Sequence, residues 1–427
     1  MLKEEIMQAY IAILREELKP ATGCTEPIAI AYCAARVRQL LTGQPERVRV
    51  AVSGNILKNV KSVVVPNTGG KKGIRPAVAA GMVAGDPEKD LQVIAQLPPK
   101  ALQEIDAFLT AVEIEVLCSD SPCKLDIDIT AYAPGHSARV RITNHHTNVV
   151  QLERDGEILR SLPIVDAAEE HMTDKSCLNV EDIIRFADTV PLEAVEELLM
   201  NQVTCNSAIA EEGLRGSWGA EIGRILMEDY GEDVKQRAKA YAAAGSDARM
   251  SGCEMPVVIL SGSGNQGITA CMPVVVYARH MGATREQLCR ALLVSDLVTI
   301  HQKSGIGRLS AYCGAISAGV GAGAGICYLL GGGFSAVAHT VVNAVAILSG
   351  TICDGAKPSC AAKIAAAVDA GIMGYRMYLH HREFHSGEGI VGDCVDSTIA
   401  NVGVLAQQGM QQTDHTILSI MQESECI

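Results

Sequence analysis

The sequence predicts an α+β fold in which a large all-helical domain carries a smaller α+β domain inserted after two N-terminal helices. Between residues 46 and 162, short segments alternate polar and apolar side chains with a period of two, as β-strands do. Outside that region, apolar residues recur three and four positions apart, as on one face of a helix. We therefore expect three regions, at residues 1–45, 46–162 and 163–427.

Residues 1–45 contain two predicted helices, which we expect to pack on the large helical domain. These helices cover residues 1–19 and 27–42, and the break between them contains Pro20, Gly23 and Pro27. The strands predicted in the second region are residues 47–53, 112–117, 124–133 and 138–143, with a helix near residues 100–110.

From residue 165 onward the two-residue alternation stops. Helical segments follow one another with short breaks, for example at residues 180–188, 191–200 and 220–230. A stretch of this length can bury a single large core. It is the region in which we expect the catalytic site.

Composition excludes some classes of function. The net charge is −13 and the sequence pI is about 5.4, without a basic cluster, which argues against nucleic-acid binding. The first 19 residues carry charges throughout and lack the features of a signal peptide, so a cytoplasmic location is expected. In such a reducing compartment the 15 cysteines should be small buried side chains, with a minority that bind metal or react.

Residues 309–353 contain no Asp, Glu, Lys or Arg. A long uncharged stretch raises the question of a membrane span. Glycines interrupt this one repeatedly, and no belt of Trp and Tyr flanks it. We expect a buried helical core and no membrane partner.

Two thiols mark the ends of this uncharged stretch. If the triple glycine at residues 331–333 separates two helices, Cys313 and Cys353 terminate arms of nearly equal length. At 1.5 Å rise per residue, each arm spans roughly 27 to 30 Å. The two thiols should therefore return to the same end of a helical hairpin.

A third thiol, Cys360, follows Cys353 across a Gly-Ala-Lys-Pro turn and begins another predicted helix. Three thiolates near a helix N-terminus could hold a [4Fe-4S] cluster with one iron left open, and an open iron can act as a Lewis acid. The C-x6-C spacing is not that of a zinc knuckle. Three buried structural cysteines are the alternative.

Cys24 stands immediately before a predicted helix. The positive end of a helix lowers the pKa of a thiol, which would make Cys24 a thiolate base or nucleophile. Glu26 opposes this effect if it points at the sulfur. A structural cysteine at a helix cap is the other interpretation.

The glycine-rich segment at residues 261–267 precedes a helical run at 268–280, an arrangement that can bind a carboxylate or phosphate. Arg249 and Lys303 could hold a carboxylate, and Asn55 and Lys58 follow the first strand. For each of these features taken alone, a plain helix entry or a surface role is the more common explanation.

Taken together, these segments resemble one family. The matching motifs are residues 20–27 (PATGCTEP), 53–59 (SGNILKN), 262–267 (GSGNQG), 313–315 (CGA) and 353–360 (CDGAKPSC). In this order, across nearly the whole chain, they resemble the L-cysteine desulfidase family, which is related to the iron–sulfur L-serine dehydratase alpha chain.

The resemblance implies an oxygen-sensitive [4Fe-4S] lyase without pyridoxal phosphate, converting L-cysteine to pyruvate, ammonia and hydrogen sulfide. It implies that Cys313, Cys353 and Cys360 hold the cluster and that Cys24 removes the Cα proton. Related serine dehydratases have Ser-His-Thr-type residues where this chain has Thr22-Gly-Cys-Thr, which favours L-cysteine. L-Serine dehydration is the alternative activity.

The expected partner is a small amino acid, L-cysteine or L-serine, and a homodimer is compatible with the sequence. By resemblance, Cys426 could cap the open iron, although a disordered chain end is the simpler interpretation. The residues predicted to bind substrate are Thr22, Thr25, Asn55, Lys58, Arg249, Ser263, Asn265 and Gln266.

Two other functions compete with this hypothesis. The glycine-rich loop also resembles the phosphate cup of a pyridoxal phosphate lyase, but its all-helical surroundings differ from the α/β scaffold of that class. The other candidate is an iron–sulfur or thiol redox sensor without catalysis. No DNA-binding domain is evident in support of it.

Overall fold

The predicted α+β class is confirmed. The fold is that of a computed structural model, which describes residues 2–164, 172–231, 233–307 and 309–423. Eight strands are present in these ranges: β1 Lys19–Thr22, β2 Arg47–Val52, β3 Glu113–Cys118, β4 Asp126–Ala133, β5 His136–Thr143, β6 Val149–Arg154, β7 Glu157–Ser161 and β8 Pro256–Ile259.

Helices form most of the rest of the described chain. They are α1 Glu4–Glu17, α2 Thr25–Leu40, α3 Gly54–Val60, α4 Ile74–Ala84, α5 Ala101–Ala111, α6 Val180–Thr189, α7 Glu196–Arg215, α8 Ile222–Tyr230, α9 Val234–Met250, α10 Gly264–Met281, α11 Arg285–Ile306, α12 Gly314–Leu329, α13 Phe334–Leu348, α14 Cys360–Leu379, α15 Val395–Val404 and α16 Gln411–Glu423. Within the described ranges, none of them combines the length and hydropathy needed to cross a bilayer.

Six strands form one sheet in the order β3-β2-β4-β5-β6-β7, in which only β2 and β3 are parallel. The four strands predicted from alternation are β2 to β5. The alternation follows the burial, because every second side chain of β2, from Val48 to Val52, is buried in the core. Helix α2 packs on β4 and β5 and on α4, while α1 contacts α11.

Strands β6 and β7 were not predicted. They form a hairpin around Asp155 and Gly156, both of which have positive φ, as a two-residue type I′ turn requires. Each residue of β7 is exposed, so the strand has no buried face to give it an apolar alternation. The Asp-Gly pair was the available signal.

A second, two-stranded sheet was also missed. Strand β1 lies in the segment interpreted as a break between helices, and it pairs antiparallel with β8 inside the region predicted to be all-helical. Four-residue strands are too short for a periodic pattern to show. The pairing matters for the site because it brings Cys24, just after β1, next to the glycine-rich loop that follows β8.

The predicted hairpin is present as α12 and α13. Its open end is closed by backbone hydrogen bonds, from the Cys313 N–H to the Thr351 carbonyl (3.0 Å) and from the Cys353 N–H to the Ala311 carbonyl (2.6 Å). Cys313 and Cys353 therefore do return to the same end.

Helix α12 packs against α14 with backbone in contact with backbone. A Cβ atom on Gly319 would lie 2.5 Å from the Ala367 carbonyl oxygen. A Cβ atom on Gly371 would lie 2.2 Å from the Gly319 carbonyl oxygen. Only glycine allows so close an approach. The contact fixes the relative position of two helices that begin at or beside cysteines, Cys313 and Cys360.

The variant Gly371→Ala tests this packing and should melt at a lower temperature than the wild type. Overpacking typically costs about 1–3 kcal/mol, against a gain of about 1 kcal/mol in helix propensity. In the control Gly305→Ala, the new Cβ would meet only the Gly403 Cα at 3.4 Å, so stability should be unchanged or higher. Circular dichroism melting measures both, and a Gly371→Ala protein as stable as the wild type would contradict the account.

Candidate active site

One cavity, of about 100 Å³, contains most of the predicted site residues. The cysteines that line it come from four places in the sequence: Cys24 before α2, Cys313 before α12, Cys353 after α13, and Cys360 at the start of α14. The polar side chains around them are Glu26, Asn59, Arg249, Ser263, Asn265, Gln266, Lys303, Ser310 and Tyr312.

The thiols of Cys313 and Cys353 lie within hydrogen-bonding reach of each other. The bond lowers the pKa of Cys353 below that of an ordinary thiol, with help from the positive charge of Lys58. The same bond, together with burial, raises the pKa of Cys313. Cys353 is therefore the sulfur of the pair that ionises more readily, and Cys313 is the hydrogen-bond donor.

Cys360 completes the group of three. Its helix begins where the sequence predicted, and its Sγ lies 3.7 Å from the Gly355 carbonyl oxygen. Burial raises its pKa, while Lys357 and Lys363 act in the opposite direction. Both lysines are ion-paired with Asp354, so the N-termini of α12 and α14 are what favours an anionic group here.

These residues can be tested against an iron–sulfur cluster. Within the described ranges, no three His, Cys, Asp or Glu side chains are gathered as a single metal ion requires. A [4Fe-4S] cluster places its thiolates on different irons, so it needs thiols distributed around a cavity. Cys313, Cys353 and Cys360 reach one cavity from different elements and are chemically suited to such a group, while Lys357 and Lys363 are both paired with Asp354.

The expectation for Cys24 needs correction. The residue does cap α2, but its Sγ lies 3.1 Å from Oε2 of Glu26, to which it donates a hydrogen bond. Burial and the Glu26 charge raise the pKa of Cys24 well above the ordinary value, although Arg249 acts in the opposite direction. The free protein therefore holds a thiol at this position rather than the thiolate that a helix N-terminus alone would favour.

Glu26 is the residue that sequence reasoning undervalued. It is only 8% exposed, and Asn59 donates to its Oε1 at 3.0 Å. The Thr25 hydroxyl lies 3.0 Å from Glu26 Oε2 and equally close to the Gly262 carbonyl oxygen. An acidic residue in the first turn of a helix whose next nine residues carry no charge was the available signal. It was interpreted only as an opponent of Cys24.

Arg249 lies at the C-terminal end of α9, where its side chain is 2% exposed. One guanidinium nitrogen donates to Asn265 (3.1 Å), while Nε has no partner in the part of the chain that the structure describes. A Cβ on Gly264 would lie 2.2 Å from this Nε, so glycine is required there. The predicted glycine-rich loop therefore packs against the Arg249 side chain and holds it in position.

Gln266, in the first turn of α10, offers the cavity a hydrogen-bond acceptor. Its Oε1 is buried and has no partner among the described residues. The side chain packs closely over Gly314, whose Cβ would lie 2.8 Å from Nε2. Together, Arg249 and Gln266 offer one unused donor and one unused acceptor.

Four predicted substrate-binding residues do not line the cavity: Thr22, Thr25, Asn55 and Lys58. Thr22 is part of β1. The Thr25 hydroxyl lies within hydrogen-bonding distance of Glu26 and of the glycine-rich loop. The Lys58 ammonium lies 2.5 Å from Asp414 of α16 and is 1% exposed. Cys426 lies outside the described residues.

Comparison with known proteins identifies the family of this chain. Residues 144–419 match the family model of the serine dehydratase alpha chain. A UPF0597 protein of Desulfitobacterium hafniense is 54% identical over 98% of this chain and 97% of its own length. One from Finegoldia magna is 46% identical over 98% and 100%, and one from Treponema denticola is 45% identical over 97% of each. The chain belongs to the serine dehydratase alpha chain family.

Proposed function

We propose that this protein is an L-cysteine desulfidase, a lyase that converts L-cysteine to pyruvate, ammonia and hydrogen sulfide. The observation that carries the proposal is the convergence of Cys24, Cys313, Cys353 and Cys360 on one cavity that also contains Arg249. Members of this family are generally iron–sulfur dependent. L-Serine dehydration is the second candidate, because the matching family model is that of serine dehydratase.

The unused polar atoms of the cavity match an α-amino acid. A zwitterion brings a carboxylate, which needs donors, and an ammonium, which needs acceptors. The Arg249 Nε–H would donate to the carboxylate, and Gln266 Oε1 would accept from the ammonium. Because buried atoms left without partners are costly, a ligand that supplies them binds with a favourable free energy.

Cys313, Cys353 and Cys360 would hold a [4Fe-4S] cluster without pyridoxal phosphate. A cluster with three thiolate ligands supplies, at its fourth iron, a Lewis acid that can polarise a carboxylate or a leaving group. The protein would contribute the three ligands, together with Lys58 and Lys357, which lower the pKa of Cys353 although they are ion-paired with Asp414 and Asp354.

Proton removal is assigned to Cys24 acting with Glu26. Because the thiol of Cys24 is protonated in the free protein, its proton first passes to Glu26 Oε2, to which it already points. The Sγ thiolate then accepts the proton from the substrate Cα, and the electrons of that bond form the Cα–Cβ double bond as sulfide leaves. The aminoacrylate becomes an imine, which water converts to pyruvate and ammonia.

The thiol at position 24 also supports L-cysteine as the substrate. The Thr22-Gly-Cys-Thr segment differs from the Ser-His-Thr-type residues of related serine dehydratases. Sulfide is a better leaving group than hydroxide, so its loss requires less assistance from a proton donor.

Protein purified and reconstituted anaerobically should release pyruvate and sulfide from L-cysteine in equal amounts. Cys353→Ser should lose both bound iron and activity, because one ligand is removed, whereas Cys118→Ser, at an exposed position, should keep both. Iron, acid-labile sulfide, pyridoxal phosphate and pyruvate assays check these results. Bound pyridoxal phosphate, or full iron content in Cys353→Ser, would contradict the proposal.

Cys24→Ser and Glu26→Gln should each lower kcat by about 10²- to 10⁴-fold, with little change in iron content. Because the two residues act as a unit, the double variant should be little worse than the poorer single variant. Cys33→Ala removes a thiol of the same helix outside the cavity and should leave kcat unchanged. Wild-type turnover by iron-loaded Cys24→Ser would remove Cys24 from the mechanism.

A further inference from the structure

One buried hydroxyl group of the cavity makes no hydrogen bond to any described residue. Tyr312 is 1% exposed, and its OH has no hydrogen-bond partner among the residues described by the structure. Buried hydroxyl groups in folded proteins nearly always have a partner, so an unused one needs an explanation. Because Tyr312 lines the cavity, a bound ligand can supply the missing acceptor.

The position of Tyr312 limits which ligand atom can accept a hydrogen bond from its hydroxyl. It immediately precedes Cys313, and its backbone is bridged to Ile352, the neighbour of Cys353. Tyr312 therefore belongs to the wall that carries two of the three clustered thiols. Arg249 belongs to different elements, because it lies at the end of α9 and contacts Gly264 and Asn265 at the start of α10.

The substrate has three polar groups, and the proposed function assigns protein side chains to two of them. In the proposed function, on which this inference rests, the substrate carboxylate binds Arg249 and the substrate ammonium binds Gln266. The group to which no protein side chain has yet been assigned is the heteroatom on Cβ, sulfur in L-cysteine or oxygen in L-serine. A tyrosine hydroxyl is a neutral donor that can serve either atom.

We propose that the Tyr312 hydroxyl donates a hydrogen bond to the heteroatom on the substrate Cβ and stabilises the charge that develops there. As the Cβ–S bond breaks, its electron pair leaves with sulfur. The phenol keeps its proton throughout, and the departing sulfide is protonated by water after release. A fixed donor aimed at a developing charge acts mainly on the transition state.

This role makes Tyr312 a residue that distinguishes substrates by their Cβ substituent. L-Alanine has the carboxylate and ammonium of L-cysteine but no heteroatom on Cβ. Its affinity should therefore depend on Arg249 and Gln266 and be independent of the Tyr312 hydroxyl. Comparison of the two ligands isolates the contact.

Tyr312→Phe removes the hydroxyl and preserves the ring. In iron-loaded enzyme, kcat/KM for L-cysteine should fall about 100-fold, mostly through kcat, while the dissociation constant of L-alanine, measured by calorimetry, changes less than about twofold. Tyr277→Phe, a buried tyrosine of α10 outside the cavity, is the matched control and should match the wild type in both measurements.

The possible outcomes separate the two proposals. Wild-type protein that eliminates neither L-cysteine nor L-serine would defeat the proposed function and this inference with it. An active wild type with unchanged Tyr312→Phe kinetics would defeat this inference alone. An equal loss of affinity for L-alanine in Tyr312→Phe would also defeat it, because the hydroxyl would then bind the carboxylate. A loss of iron from Tyr312→Phe would defeat it too, because the role of the hydroxyl would then be structural.

Discussion

The backbone pairing at the open end of the α12–α13 hairpin determines where the thiols of the cavity lie. Two hydrogen bonds join the strands of chain that contain Cys313 and Cys353, and the bridge between Tyr312 and Ile352 lies between them. Backbone bonds of this kind fix positions independently of side-chain rotamers. The thiols, and the tyrosine beside them, are therefore held by the fold before any ligand arrives.

The second constraint is electrostatic. Glu26 is a buried carboxylate that accepts hydrogen bonds from Cys24 and Asn59, and it lies in the same cavity as Arg249. Buried charges are retained where they are hydrogen-bonded and balanced. The balance explains how an acid-rich chain presents a cavity suited to a zwitterion. The charge of Glu26 also adds to the effect of burial in raising the pKa of the Cys24 thiol.

Several features could be predicted from the sequence because they depend on local pattern. The alternation of β2 to β5 follows from one buried face, and the hairpin follows from two apolar arms of equal length around a triple glycine. The convergence of Cys313 and Cys353 followed from helix geometry alone. Their roles as cluster ligands stay predictions.

Other features depend on contacts that no local pattern contains. The pairing of β1 with β8 joins residues far apart in sequence, and it places Cys24 against the glycine-rich loop. Lys58 was expected at the substrate but binds Asp414 of the C-terminal helix, a partner that only the tertiary fold supplies. The pKa of Cys24 was misjudged because its sign depends on burial and on the direction in which Glu26 points.

The central claim is that three thiols hold a cluster whose fourth iron is open to substrate. Mössbauer spectroscopy of protein reconstituted with iron-57 tests it most directly. On addition of L-cysteine or L-serine, the account predicts that roughly one quarter of the iron signal changes its parameters while the rest stays constant. A spectrum unchanged by either amino acid, with the cluster intact, would contradict it.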